Sequence, residues 1–204
     1  MKKLFFIGAM IAVFTTSCST ETVNEDLTLT DQVQFEVTSK SILTAGTATG
    51  SGSAEICSVT YIMAGQHTIA GKLFILADAD NLYITYRTIS NWIIDETHMF
   101  IGNREDIPVN GGGNPRIGHF PYSAVHYNNT NEVVYTIPKN AVPDCFTLAA
   151  HSVVSKLDAN GNRVVTETAW TDGDAIGGAS WAMATDYCVS GCPTSPDNGP
   201  VRRR

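Results

Sequence analysis

Residues 82–87 read LYITYR, so Leu82, Ile84 and Tyr86 alternate with Tyr83, Thr85 and Arg87. A period of two sends successive side chains to opposite faces of a strand, and here one face is apolar. The same pattern returns at Val133, Tyr135 and Ile137, which alternate with Val134 and Thr136. Val33, Phe35 and Val37 alternate with Gln34, Glu36 and Thr38, which predicts one further strand near the start. Residues 146–154 are apolar on both faces apart from Thr147, His151 and Ser152, as expected for a central strand. Residues 164–170 and 181–188 read as additional strands. Between these runs lie turn formers: Asp78-Ala79-Asp80-Asn81, Asn128-Asn129-Thr130-Asn131 and Asp158-Ala159-Asn160-Gly161-Asn162. A long amphipathic helical repeat is absent. The pattern predicts an all-β domain of about eight strands, an antiparallel two-sheet β-sandwich of Greek-key or jelly-roll type.

Outward from this module the chain changes character. Met1-Lys2-Lys3 is a short basic start, residues 4–14 are uncharged and mostly apolar, and Thr15-Thr16-Ser17 leads to Cys18. The run is too short for a span, which needs about 20 apolar residues, and reads as a signal peptide over residues 1–17. A cysteine at the cleavage point makes Cys18 the expected lipidation site, carrying acyl chains whose buried methylenes hold about 0.8 kcal/mol each. Thr15 stands where a leucine-like residue is usual in the lipobox, and this looser form resembles lipoproteins of the Bacteroidota. Ser19 is not the aspartate of inner-membrane retention, and Glu21, Glu25 and Asp26 resemble a thin surface-export signal. The expected location is therefore the outer membrane, lipid-anchored, on its periplasmic face or at the cell surface. Residues 18–53 read as a tether with one possible strand, residues 54–189 as the folded module, and residues 190–204 as a disordered tail ending Arg202-Arg203-Arg204.

The whole chain carries 13 basic and 20 acidic residues. Loss of Lys2 and Lys3 with the signal leaves 11 cations against 20 acids, a formal net of −9. That balance argues against nucleic acid, which selects basic patches. Besides Cys18 there are Cys57, Cys145, Cys188 and Cys192, an even number that predicts two disulfides in an exported chain. Three pairings are possible; the preferred one joins Cys57, near the first strand of the module, to a cysteine near the last.

The segments LYITYRTISNWIIDETHMFIG (82–102), GHFPY (118–122), YTIP (135–138), LAAHSVV (148–154), ETAW (167–170) and WAMATDY (181–187) follow in order. Together they resemble a module of bacterial secreted and cell-surface proteins, lipoproteins included. The likeness covers roughly residues 65–189. It implies an extracellular β-domain and carries no catalytic residue across.

Several clusters are candidates for chemistry. Glu96 and His98 share a strand face, and with His151 and Glu167 they would form a polar cluster if their strands are neighbours. Imidazole and carboxylate together suit a divalent metal, and a metal-assisted hydrolase is the alternative to a binding protein. The same residues also suit a paired network inside a β-domain, since buried polar groups require partners. Asp78, Asp80, Asp158, Asn160, Asp172 and Asp174 alternate in loops as calcium ligands do, yet without an EF-hand's downstream glutamate; such residues also build ordinary turns. Trp92, Tyr122 and Trp170 are candidates for stacking a sugar ring, or for the core. The connection from Asn103 to Tyr127, with NGGGNP and GHFPY, is long enough to be functional or to be a packed excursion. No nucleophile elbow, phosphate loop, HExxH or dinucleotide motif occurs. The expected function is a non-catalytic envelope lipoprotein that binds a glycan or protein partner, with a structural subunit of a surface assembly as a further alternative.

Overall fold

The computed structural model describes residues 36–41 and 54–192, all within one compact unit. The signal sequence, Cys18, the acidic residues after it and the tail from residue 193 lie outside the described residues. The described chain is all-β and antiparallel, with no α-helix. Its strands are β1 (Glu36–Ser41), β2 (Glu55–Ala64), β3 (Thr68–Ala77), β4 (Asn81–Thr88), β5 (Trp92–Gly102), β6 (Tyr122–Val125), β7 (Thr130–Pro138), β8 (Cys145–Leu157), β9 (Arg163–Thr171), β10 (Asp174–Ala175) and β11 (Met183–Cys188).

Hydrogen bonding runs β1-β7-β4-β3-β2-β9-β8, and β5 and then β6 continue beyond β8. β11 pairs with residues 145–148 of β8, on the side β9 occupies farther along, and carries β10. The eleven strands thus form one continuous, strongly curved sheet that nearly closes into a barrel, where about eight strands in two separate sheets were expected. Alternation reveals strands but not which edges bond. The ladder between β2 and β9 is only three residue pairs long, so a fold that reads as two layers is stitched into one sheet at that corner.

The opposite corner closes through side chains. His126, the residue after β6, has Nδ1 2.8 Å from Ser39 Oγ on β1 and Nε2 2.7 Å from Thr97 Oγ1 on β5. Thr97 Oγ1 is in turn 2.7 Å from the Tyr135 hydroxyl on β7. Both ends of the sheet therefore meet on one imidazole. β1, where the sequence allowed one strand within the tether, belongs to this sheet, in register with β7 from Glu36↔Thr136. Cys192 likewise lies in the folded unit, past the boundary expected at residue 189, because it is disulfide-bonded to Cys57.

The alternating faces pack as the sequence predicts. Leu82, Ile84, Tyr86, Val133, Tyr135 and Ile137 are all buried in the interior core. β8 lies between β5 on one edge and β9 and β11 on the other, and both of its faces are packed, Leu148, Ala150 and Val154 in the interior core and Ala149 in a second cluster, which explains its two-sided apolar pattern. A second core lies on the outer face of β5, β8 and β9. There Phe100, Ala149 and Trp170 meet Ile107 and Phe120 of the long connection and Ala182 and Ala184 near the chain's end. Residues 103–121 thus form a packed cover. The cover is pinned where Asn114 Oδ1 accepts hydrogen bonds from the amides of Ala179 and Ser180, each at 2.8 Å. Gly178, at φ +71°, lies so close that a Cβ there would sit 2.5 Å from Asn114 Oδ1. Glycine is required at that contact.

Candidate functional site

The outer face of β5, β8 and β9 carries the imidazole cluster. His98 pairs in register with His151, and His151 with Trp170, so the three rings form a row across the sheet. The ring centroids are 5.7 Å apart for the histidines and 4.9 Å for His151 and Trp170. Glu96 Oε2 lies 3.3 Å from His98 Nε2. Glu167 does not join them. It pairs with Val154, whose side chain faces the interior, so Glu167 stands on the opposite face of the sheet, beside Gly65. His151 is buried, and the loss of hydration, with His98 second, drives its pKa down to about 4. It is neutral at neutral pH and packed against Trp170. Among the described residues, no group of three or more His, Cys, Asp or Glu is placed to hold a metal ion.

In two of the oxygen-rich loops the leading carboxylate is already in use. Asp78 Oδ1 accepts from the amides of Asp80 and Asn81, at 2.9 and 2.7 Å, and Oδ2 accepts from the Tyr83 hydroxyl at 2.6 Å. The Tyr83 bond, then the Asn81 amide, holds the Asp78 carboxyl below its ordinary pKa. Asp158 Oδ1 accepts from the amides of Asn160 and Asn162, both at 2.8 Å, and these bonds, those from Asn162 foremost, lower its pKa as well. Both carboxylates cap their own turns. Asp172 bonds through its backbone carbonyl to Thr60 and Thr185, and Asp174 opens β10.

The three aromatic candidates for ligand stacking are buried: Trp92 and Trp170 at 6% exposure and Tyr122 at 2%. Trp92 and Tyr122 belong to the interior core, and Trp170 lies under Phe120, so none of them presents a free face. Aromatic residue type alone does not separate a core ring from a binding ring.

The four cysteines do pair, as Cys57–Cys192 and Cys145–Cys188. Cys57 sits at a β-bulge between Ile56 and Ser58, where one extra residue leaves the ladder and is re-aimed. Cys145 and Cys188 are register partners on β8 and β11. Both bonds gather at one end of the barrel, and two adjoining cavities of about 240 and 350 Å³ open beside them. Phe146, Asp186, Tyr187 and Cys188 line both.

This cleft has fixed polar groups that the sequence reading did not single out. Thr147 donates to Asp186 Oδ1 at 2.6 Å. Arg104 lies in the first turn of the cover; its Nη2 donates to the Ala175 carbonyl at 2.9 Å and its Nη1 is 3.8 Å from Asp186 Oδ1. On the opposite, interior face of β11, beside the smaller cavity, Ser58 donates to the Tyr187 hydroxyl at 3.3 Å, and burial raises the Tyr187 pKa, with the Ser58 bond acting in the opposite sense. The side chains of Arg104 and Asp186 remain 37% and 68% exposed, so a ligand can reach them. The DETH and ETAW motifs are conspicuous in the sequence, whereas Arg104 and Asp186 come together only where the cover docks beside the β8–β11 ladder. Comparisons with protein-family models, curated proteins and solved structures return no match to this chain.

Proposed function

We propose that the chain is a cell-envelope lipoprotein, anchored to the outer membrane through Cys18, whose β-domain is a non-catalytic binding module for a glycan or protein ligand. The open cleft at the disulfide end carries the binding reading. It offers polar groups, Arg104 anchored on Ala175 and Asp186 on Thr147, held on a rigid scaffold, as small-ligand sites do. Of the imidazoles, by contrast, His151 is buried against Trp170, and Glu167 faces away from both. Two disulfides support an oxidising compartment, where such bonds persist.

The experiment is mass spectrometry of the chain recovered from a bacterial envelope, alongside metabolic labelling with an alkyne fatty acid. The expected result is a mature amino-terminus at Cys18 bearing two or three acyl chains. An intact Met1, or a Cys18 without acyl mass, contradicts the reading.

A further inference from the structure

The outer face of β2, β3, β4 and β7 is apolar and open: Ile56, Val59 and Tyr61 are 54%, 44% and 45% exposed on it. Ladder register sorts this face into three rows. Ile56, Leu76 and Tyr83 are successive partners across β2, β3 and β4. Val59, Phe74, Thr85 and Val134 form the next row, and Tyr61, Lys72, Arg87 and Glu132 the third. Their neighbours along the strands, Leu73, Ile75, Ile84 and Val133, belong to the interior core, so all three rows point outward. Two rows are mostly apolar and the third carries exposed cations. Lys72 Nζ lies 5.7 Å from the Tyr61 ring centroid, and the Arg87 guanidinium, paired with Glu132, lies 5.4 Å from that of Phe74. Past the Ile56 row, at the other border, the β3–β4 turn carries Asp78 and the exposed Asp80. Lys139 sits beside that turn and donates to the Asp78 carbonyl.

We propose that this face is a homodimer interface, on which a second copy of the chain packs about a two-fold axis running across the strands, between the two apolar rows. Rotation about that axis lays the Ile56 row of one copy on the Val59 row of the other. Two outer faces thereby become the inside of a sandwich with aligned strands. The same rotation carries Lys72 and Arg87 of each copy over the Asp78–Asp80 turn of the other. The basic and acidic borders are thus self-complementary, and each contact is made twice. A two-fold axis along the strands has the opposite consequence, because it sets the Lys72–Arg87 row on its own copy. Charge therefore selects the first arrangement.

The test is sedimentation equilibrium of the full chain in density-matched detergent over a concentration series. The expected result is a reversible monomer–dimer equilibrium whose dissociation constant rises about tenfold or more in Val59→Lys and in Lys72→Glu. Adding Asp80→Lys to Lys72→Glu restores wild-type association, because the exchanged charges meet again across the axis. Val59, Lys72 and Asp80 are all exposed, and thermal melting of each variant checks that it folds. A chain that stays monomeric throughout, that assembles beyond two copies, or whose dimer Val59→Lys leaves unchanged overturns the interface. A dimer that Lys72→Glu weakens and Asp80→Lys does not rescue overturns the two-fold arrangement.

Discussion

Ser39 Oγ lies 2.8 Å from His126 Nδ1, and this contact ties the first strand of the sheet to the residue that follows the sixth. His126 also contacts Thr97, which reaches Tyr135, so a four-residue chain crosses the gap between β1, β5 and β7. Burial lowers the His126 pKa, with Asp95 opposing, so the neutral ring bridges two hydroxyls as donor and acceptor. Ser39→Ala is expected to reduce stability by about 1 kcal/mol. His126→Leu should cost more, about 1–3 kcal/mol, because it takes a hydrogen-bond partner from the buried Thr97 hydroxyl as well as from Ser39. Urea denaturation measures both. Hydrogen exchange should show faster exchange in β1 and β6 than in β3 or β4.

The Cys57–Cys192 bond spans 135 residues of sequence and clasps β2 to the segment after β11. Chain-entropy arguments put such a closure at about 5 kcal/mol, and measured losses run from about 2 to 5. The paired Cys57→Ala, Cys192→Ala variant should lose stability within that range by urea denaturation. The Cys145–Cys188 bond joins residues that β8 and β11 already hold in register. Its bridged residues are both exposed, so dithiol reductants should cut it before they cut Cys57–Cys192, as timed alkylation and peptide mapping would show.

His151 titrates in a defined window. Its folded pKa is about 4 against an ordinary 6.5, so the unfolded chain binds its proton first. The stabilisation from keeping it neutral is complete above pH 6.5 and is lost as pH falls toward 4. The total is about 3 kcal/mol. Unfolding free energy measured between pH 6.5 and 5 should therefore fall more steeply in the wild type than in His151→Leu. Parallel slopes would show that His151 is not the titrating group.

The cover over Trp170 depends on Asn114. Asn114→Ala removes the acceptor of two exposed amides of the 179–180 turn, which water partly replaces, and should cost about 0.5–1.5 kcal/mol. Gly178→Ala should cost at least as much, because its Cβ meets Asn114 Oδ1 and its φ is +71°. In both variants tryptophan emission should shift to the red as water reaches Trp170. Unchanged emission and melting would show that the cover does not rest on this contact.

Much of the β-structure was legible because one face of each strand is apolar. Leu82, Ile84 and Tyr86, and Val133, Tyr135 and Ile137, are buried as their alternation requires. The turn formers at Asp78 and Asp158 do sit in hairpin loops, between β3 and β4 and between β8 and β9. Pairing partners were not legible, because a period of two says nothing about which edges meet. That is why the bond from Ser39 to His126 and the short ladder from β2 to β9 emerge only in three dimensions. The polar cluster was readable in part. Glu96 and His98 share a face by spacing, but the register that sets His151 opposite His98, and turns Glu167 away, is a tertiary property. Trp92, Tyr122 and Trp170 show the limit for aromatics, since a buried ring and a stacking ring have the same composition. Arg104 and Asp186 carried no motif, and only the docked cover brings them together.

The central claim is that ligands meet the disulfide end of the barrel and not the imidazole face. Hydrogen–deuterium exchange on the full chain, with and without the tightest ligand found by screening it on a glycan array, tests it most directly. The account predicts slower exchange in residues 102–105, 145–148 and 185–191, with residues 95–98 and 151–153 unaffected. Protection confined to residues 95–98 and 151–153 would contradict it.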